Sequence, residues 1–218
     1  KPLDKIYNKG ECWIEARGYM LQESYAYFGW VFDRLDSKEE YEAPLGICAP
    51  ALASALPLAF PDIDSSLLNE AVSADAPIQL AMLFETMLPD LAPSLLNPYN
   101  QELGMEARKV VDKDYKVDTP NGNGGGENIY RLREGVERFL ITDINNPGAS
   151  AQAQSTVIIM GDLMGAGAGR TIFNHIPGGC NILLMDGHCE FIRYPGQGPV
   201  TPAMAILLGT IAAGFDVS

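Results

Sequence analysis

Four apolar residues in a row, Ile182 to Met185, run into Asp186-Gly187, and a mixed stretch from Cys189 to Tyr194 runs out again. Asp-Gly between two such runs predicts a β-hairpin, because a two-residue I′ turn needs positive φ at both central positions. That turn places Met185 opposite His188, Leu184 opposite Cys189 and Ile182 opposite Phe191. Side chains alternate across a sheet. The predicted core face is therefore Cys180, Ile182, Leu184, Cys189, Phe191 and Arg193. Asn181, Leu183, Met185, His188, Glu190 and Ile192 fall on the other, half-covered face. Cys180 and Cys189 share a face but lie about 13 Å apart at ~3.3 Å per residue, too far for a disulfide.

Elsewhere the pattern divides the chain into residues 1–36, 37–126 and 127–218. From Glu11 to Leu35 few residues break a helix, and apolar positions recur at about 3.5-residue spacing. The segment predicts a core helix rich in aromatics, or a packing surface for neighbouring subunits through Trp13, Tyr19, Phe28 and Trp30. Residues 37–126 read as a helical insert. Pro50 and Pro57 divide the stretch from Leu45 to Phe60 into short pieces. Asp64-Ser65-Ser66 caps a helix through Asn69 to Val72, another runs from Ile78 to Leu88 and stops at Pro89, and a third covers Glu102 to Val111. The run Pro120 to Glu127, PNGNGGGE, predicts a flexible connector. After it, Ile129, Leu132, Val136, Phe139 and Leu140 share one face of a predicted helix over Asn128 to Thr142. Thr156 to Met160 predicts a buried strand, and Asp162 to Arg170 a loose loop. Pro202 to Phe215 is apolar nearly throughout but shorter than the ~20 residues that span a bilayer. It predicts a packed C-terminal helix or a subunit contact through Ile206 and Leu207.

The segment His175-Ile-Pro-Gly178-Gly179-Cys-Asn181, followed by Met185-Asp186-Gly187-His188, resembles the C-terminal signature of bacterial pilin-like proteins. This group has a prepilin-type N-terminus and an H-x9-DG C-terminal domain. The matching residues are His175, Gly178, Gly179, Asn181, Asp186 and Gly187, with Ile176-Pro177 reading as a one-residue insertion. The stretch from Tyr130 to Ser155 is similar to a subset of the same family. The resemblance covers residues from about Ile129 to Val200, and little of it extends over Asp36 to Gly126. It implies an α+β, pilin-like fold of the type IV pilus and type II secretion pseudopilin kind. In such a fold an N-terminal helix packs on a small antiparallel sheet, here with a helical insert and a C-terminal apolar helix. It further implies an extracellular or cell-surface structural subunit that acts by packing, as a homopolymer or with other pilin-like subunits. A membrane would be engaged only through an N-terminal helix that this chain, beginning KPLDKIYNKG, does not contain. The alternative expectation is a monomeric, exported cell-surface binding module with the insert as recognition surface.

Charge changes the picture modestly. With 15 basic against 28 acidic residues, the net charge of −13 argues against nucleic acid and anionic membrane surfaces. It suits divalent cations. Asp143, Asn145, Asn146 and Asp162 offer hard oxygen ligands for calcium, although Asn146-Pro147 reads equally well as a turn. His175, Asp186 and His188 are the zinc alternative, against which Asp186-Gly187 reads as a plain turn. No further cofactor is expected. The glycine-rich run lacks the Lys and Ser/Thr of a phosphate loop, and no GxSxG, HExxH or paired CxxC is present. The expectation is therefore a protein that is not an enzyme. The four cysteines leave the compartment open.

Overall fold

A computed structural model describes residues 25–59, 65–96, 101–140, 153–167, 170–173 and 178–216. The chain is a mixed α/β structure built on an antiparallel sheet. Its central sheet has the order β1 (Tyr25–Tyr27), β6 (Ile158–Asp162), β9 (Gly179–Leu184), β10 (Cys189–Arg193), antiparallel at every pair.

The first element corrects an expectation. The helix predicted over Glu11 to Leu35 is not present in its described part: Tyr25–Tyr27 is an edge strand paired with β6. Beyond it the chain stays extended, with Trp30 bridged to Arg131 and the Val31 amide donating to the Tyr130 carbonyl at 2.9 Å. Packing on both sides of an extended chain explains the change. Tyr25 and Tyr27 are exposed while Phe28, Trp30, Val31 and Phe32 are buried, and aromatic and β-branched residues suit a pleated, half-buried surface. Dense apolar sequence fits a period of 2 as well as one near 3.5. Residues 11–24 lie outside the described set.

The insert is helical as expected. It opens with β2 (Glu42–Pro44) and carries α1 (Leu45–Cys48), α2 (Pro50–Ala59) and α3 (Ser65–Ser73). It returns through β3 (Asp75–Pro77), which pairs antiparallel with β2. Next comes α4 (Ile78–Leu96), burying Leu80, Leu83 and Met87 at helical spacing. It runs through Pro89 and Pro93, where a stop was expected. The two prolines lie four residues apart on the exposed side, so the carbonyls that lose their amide partners can turn to water. The helix α5 (Gln101–Val110) follows.

The glycine-rich connector is not a flexible tether. Between β4 (Tyr115–Lys116) and β5 (Asn128–Ile129) it folds into a tight turn. Gly122 N donates to Gly126 O at 2.9 Å and Gly126 N to Asn123 O at 3.0 Å. The helix predicted from Asn128 is replaced by β5 and a short 3₁₀ turn, Val136–Phe139. Gly135 breaks the run at φ 76°, and the Leu132 amide is drawn to Gly29 O. Val136 still packs, with Val31 and Val157, in a small second core.

The strand predicted at Thr156 to Met160 begins two residues later, as β6. The loop predicted after it is in part a second hairpin, β7 (Met164–Gly167) with β8 (Arg170–Phe173). Across β7 lies α6 (Pro202–Asp216), the expected C-terminal helix. The approach is backbone to backbone: a Cβ on Gly209 would stand 2.6 Å from Ala166 O. One main core cluster draws residues from all three stretches of the sequence, from Phe28 through Leu45 and Met87 to Ile158 and Met204.

Candidate functional site

The hairpin predicted at Asp186-Gly187 is present, with a different count. The Leu184 amide donates to His188 O at 2.9 Å, and Gly187 N to Leu184 O at 3.0 Å. The loop is therefore Met185-Asp186-Gly187, three residues with Gly187 left-handed at φ 86°, as in a type I turn closed by a bulge. The register becomes Cys189 opposite Leu183, Glu190 opposite Ile182 and Phe191 opposite Asn181. A one-residue slip exchanges the faces of a strand. The predicted core face is thereby corrected: Cys180, Ile182 and Leu184 are buried together with Ile192, while Cys189, Phe191 and Arg193 are exposed.

The signature residues have structural roles here. Asp186 Oδ1 accepts the His188 amide at 2.9 Å, closing its own turn. Asn181 donates twice to Asp162 Oδ2, from its backbone N at 2.6 Å and from Nδ2 at 2.9 Å, linking β9 to the end of β6. A Cβ on Gly179 would stand 2.5 Å from Ile192 O and 2.6 Å from the Phe191 ring, so only glycine fits beneath β10. Burial, with Asp162 nearby, pushes the Cys180 thiol up to about 11. His175 lies outside the described residues, and Asp186 and His188 stand on an exposed turn.

Of the calcium candidates, Asp143, Asn145 and Asn146 lie outside the described residues. Asp162 is buried, with Asn181 donating to it. Among the described residues no group of three or more His, Cys, Asp or Glu side chains could hold a metal. Cys48, Cys180 and Cys189 are free thiols.

The expected subunit contacts sort by burial. Phe28, Trp30 and Leu207 are buried within the chain, Ile206 is half-buried, and Trp13 and Tyr19 lie outside the described residues. Exposed apolar side chains sit elsewhere, Ile47, Leu58 and Met105 on the helical insert and three aromatics on the sheet. The registers set two rows across the outer face of the sheet: Tyr27, Met160, Leu183 and Cys189, and beside it Tyr25, Asp162, Asn181 and Phe191. Tyr25 is 45% exposed, Tyr27 57% and Phe191 48%. Sequence reasoning missed these three because it placed the tyrosines on a helix and Phe191 on the core face.

A polar cluster built on the buried Gln79 and Asn123 also escaped it. Asp33 Oδ1 accepts from Gln79 Nε2 at 2.8 Å and from Asn123 Nδ2 at 2.9 Å, and Oδ2 accepts the Gly124 amide at 2.8 Å. Gln79 Oε1 takes the Asp33 and Arg34 amides at 3.1 and 3.3 Å. Asn123 Nδ2 donates to Val31 O at 2.9 Å, and its Oδ1 accepts the Tyr130 amide at 2.9 Å. Gln79 and Asn123 are buried. The cluster fastens the N-terminal extended segment, the start of α4 and the glycine-rich turn to one another.

Nearby, Arg133 grips Asp114 through two bonds of 3.0 and 2.9 Å. Burial acts to raise the Asp114 pKa, but the Arg133 guanidinium and the Arg131 amide outweigh it and hold the carboxyl below its usual range.

No family model, curated protein or solved structure matches this chain. Among the described residues no helix is long and apolar enough to cross a membrane.

Proposed function

We propose that this chain is a structural subunit of a pilus-like or pseudopilus-like extracellular assembly, acting by packing against copies of itself or other pilin-like subunits, with a pilin-like head as its fold. The observation that carries the reading is the outer face of the four-stranded sheet. Tyr25 and Tyr27 on one edge strand and Phe191 on the other are each exposed by 45% or more, with Met160 and Leu183 half-buried between them. Exposed aromatic side chains gathered on one face of a folded head mark a candidate interaction face. The net charge of −13 sets copies of the chain against one another elsewhere, which favours contact through a face whose surface is aromatic. The resemblance of the Gly178–Gly187 stretch to pilin-like proteins points the same way.

Electron microscopy of the native protein, released from cells without detergent, tests this. Regular filaments containing the chain are the expected result, lost or shortened in a Tyr25→Ser, Tyr27→Ser, Phe191→Ser variant that keeps its folded circular dichroism spectrum. Compact single particles for the native protein would overturn the reading and leave the monomeric binding module in its place.

A further inference from the structure

Three atoms that take part when an asparagine cyclises onto the following amide each have a fixed partner at Asn123-Gly124. The nucleophile would be Gly124 N, whose N–H donates to Asp33 Oδ2 at 2.8 Å. The leaving group would be Asn123 Nδ2, which donates to Asp33 Oδ1 at 2.9 Å. The side-chain oxygen that must bear negative charge, Asn123 Oδ1, already accepts the Tyr130 backbone N–H at 2.9 Å. One carboxylate thus bridges the proton to be removed and the nitrogen to be protonated, and a fixed backbone donor faces the developing oxyanion. Gly124 is exposed, and nothing lies within 4 Å of where its Cβ would be, so water reaches the product.

We propose that Asn123-Gly124 is a self-modifying site, with Asp33 as its catalytic base and acid. Asp33 takes the proton from Gly124 N, and that nitrogen bonds to Asn123 Cγ while Tyr130 N–H holds the charge on Oδ1. The Cγ–Nδ2 bond then breaks, its electron pair leaving with the nitrogen. Nδ2 takes the proton back from Asp33 and departs as ammonia, leaving a succinimide. Water opens that ring to aspartate or isoaspartate. Either product loses the Nδ2 bonds to Val31 and Asp33 and sets a second carboxylate against Asp33. The reaction therefore loosens the cluster that fastens the glycine-rich turn, and gives the folded chain a finite lifetime.

The chain carries its own control. Asn121-Gly122 has the same two residue types, but Gly122 N donates to a backbone carbonyl, that of Gly126 at 2.9 Å. Trypsin releases both pairs in one peptide, Val117–Arg131. The full chain is incubated at neutral pH, folded and in denaturant, and this peptide is followed by fragment mass spectrometry. A positioned acid–base group is worth 10²-fold or more, part of which the restricted approach of Gly124 N takes back. The expected rate at Asn123 is thus about tenfold higher folded than denatured, and in the folded chain it exceeds that at Asn121. Asp33→Asn brings Asn123 down to the rate of Asn121. Equal or slower modification of Asn123 in the folded wild-type chain would overturn the proposal and make the cluster a protective clamp. That comparison decides the matter even if D33N fails to fold.

Discussion

Two glycine turns in this molecule differ in what holds them. The turn at Met185-Asp186-Gly187 is self-contained: its bonds join residues 184 to 188, and Asp186 reaches only two residues along the chain. The turn at Gly122 to Gly126 is held from a distance. Asn123 reaches Val31 and Asp33 across 92 and 90 residues, and Asp33 connects it to Gln79. The first is a local device on the surface, and the second is a joint among three segments with Gln79 and Asn123 buried in it. Glycine content alone does not separate them. What separates them is whether a side chain inside the turn finds partners from elsewhere in the fold.

This contrast can be broken most forcefully at Asn123. Asn123→Ala leaves the Val31 carbonyl and the Tyr130 amide without their partner. With a buried orphan costing about 1–3 kcal/mol, we expect a loss of about 3 kcal/mol, read as a lowered midpoint in urea. A loss below about 1 kcal/mol would mean that water takes the place of the side chain. Gly209→Val is the next largest. Its side chain meets the Ala166 backbone, and overpacking of this kind costs about 1–3 kcal/mol. The same measurement should show a lowered midpoint. At the surface turn, Gly187→Ala forces a left-handed residue to carry a Cβ, for about 1 kcal/mol. Asp186→Ala removes one exposed hydrogen bond and should cost less, about 0.5 kcal/mol. If the surface turn proved as sensitive as Asn123, the distinction between local and long-range turns would fall.

A smaller effect concerns pH. The Asp114 carboxyl has a lowered pKa in the folded chain, so its contribution is complete above the ordinary carboxylate value of about 4 and is lost as pH falls below it. Acid unfolding of Asp114→Asn should therefore show a shallower loss below that pH than the wild type. Chemical labelling ranks the thiols in the same spirit. Cys180, buried with its pKa pushed to about 11, should resist alkylation at pH values where the exposed Cys189 reacts, as peptide mass spectrometry would show.

What was legible in the sequence follows the same division. Helices α3, α5 and α6 were readable because a cap, a charged face or an unbroken apolar run is local information. The hairpin was readable from Asp186-Gly187, but its register was not. Two- and three-residue turns share those residue types, and the choice was visible only in which of Phe191 and Ile192 ended up buried. The strand at Tyr25–Tyr27 and the pairing of residues 29–31 with residues 130–132 depend on partners about a hundred residues away, which no window along the chain contains. The Asp33–Gln79–Asn123 cluster was invisible for the same reason. Its one signal was an asparagine within a glycine run, where a purely flexible linker has no use for a side chain able to make four hydrogen bonds.

The three-residue hairpin loop also works as a counting device. With three residues Phe191 is sent to solvent and Ile192 to the interior; with two, the whole of β10 would exchange its faces. A substitution that shifted the turn to Asp186-Gly187 alone would therefore invert β10, whereas a residue added or removed within the loop leaves Leu184 opposite His188. Which of Phe191 and Ile192 meets solvent is thus decided at a turn that neither of them touches.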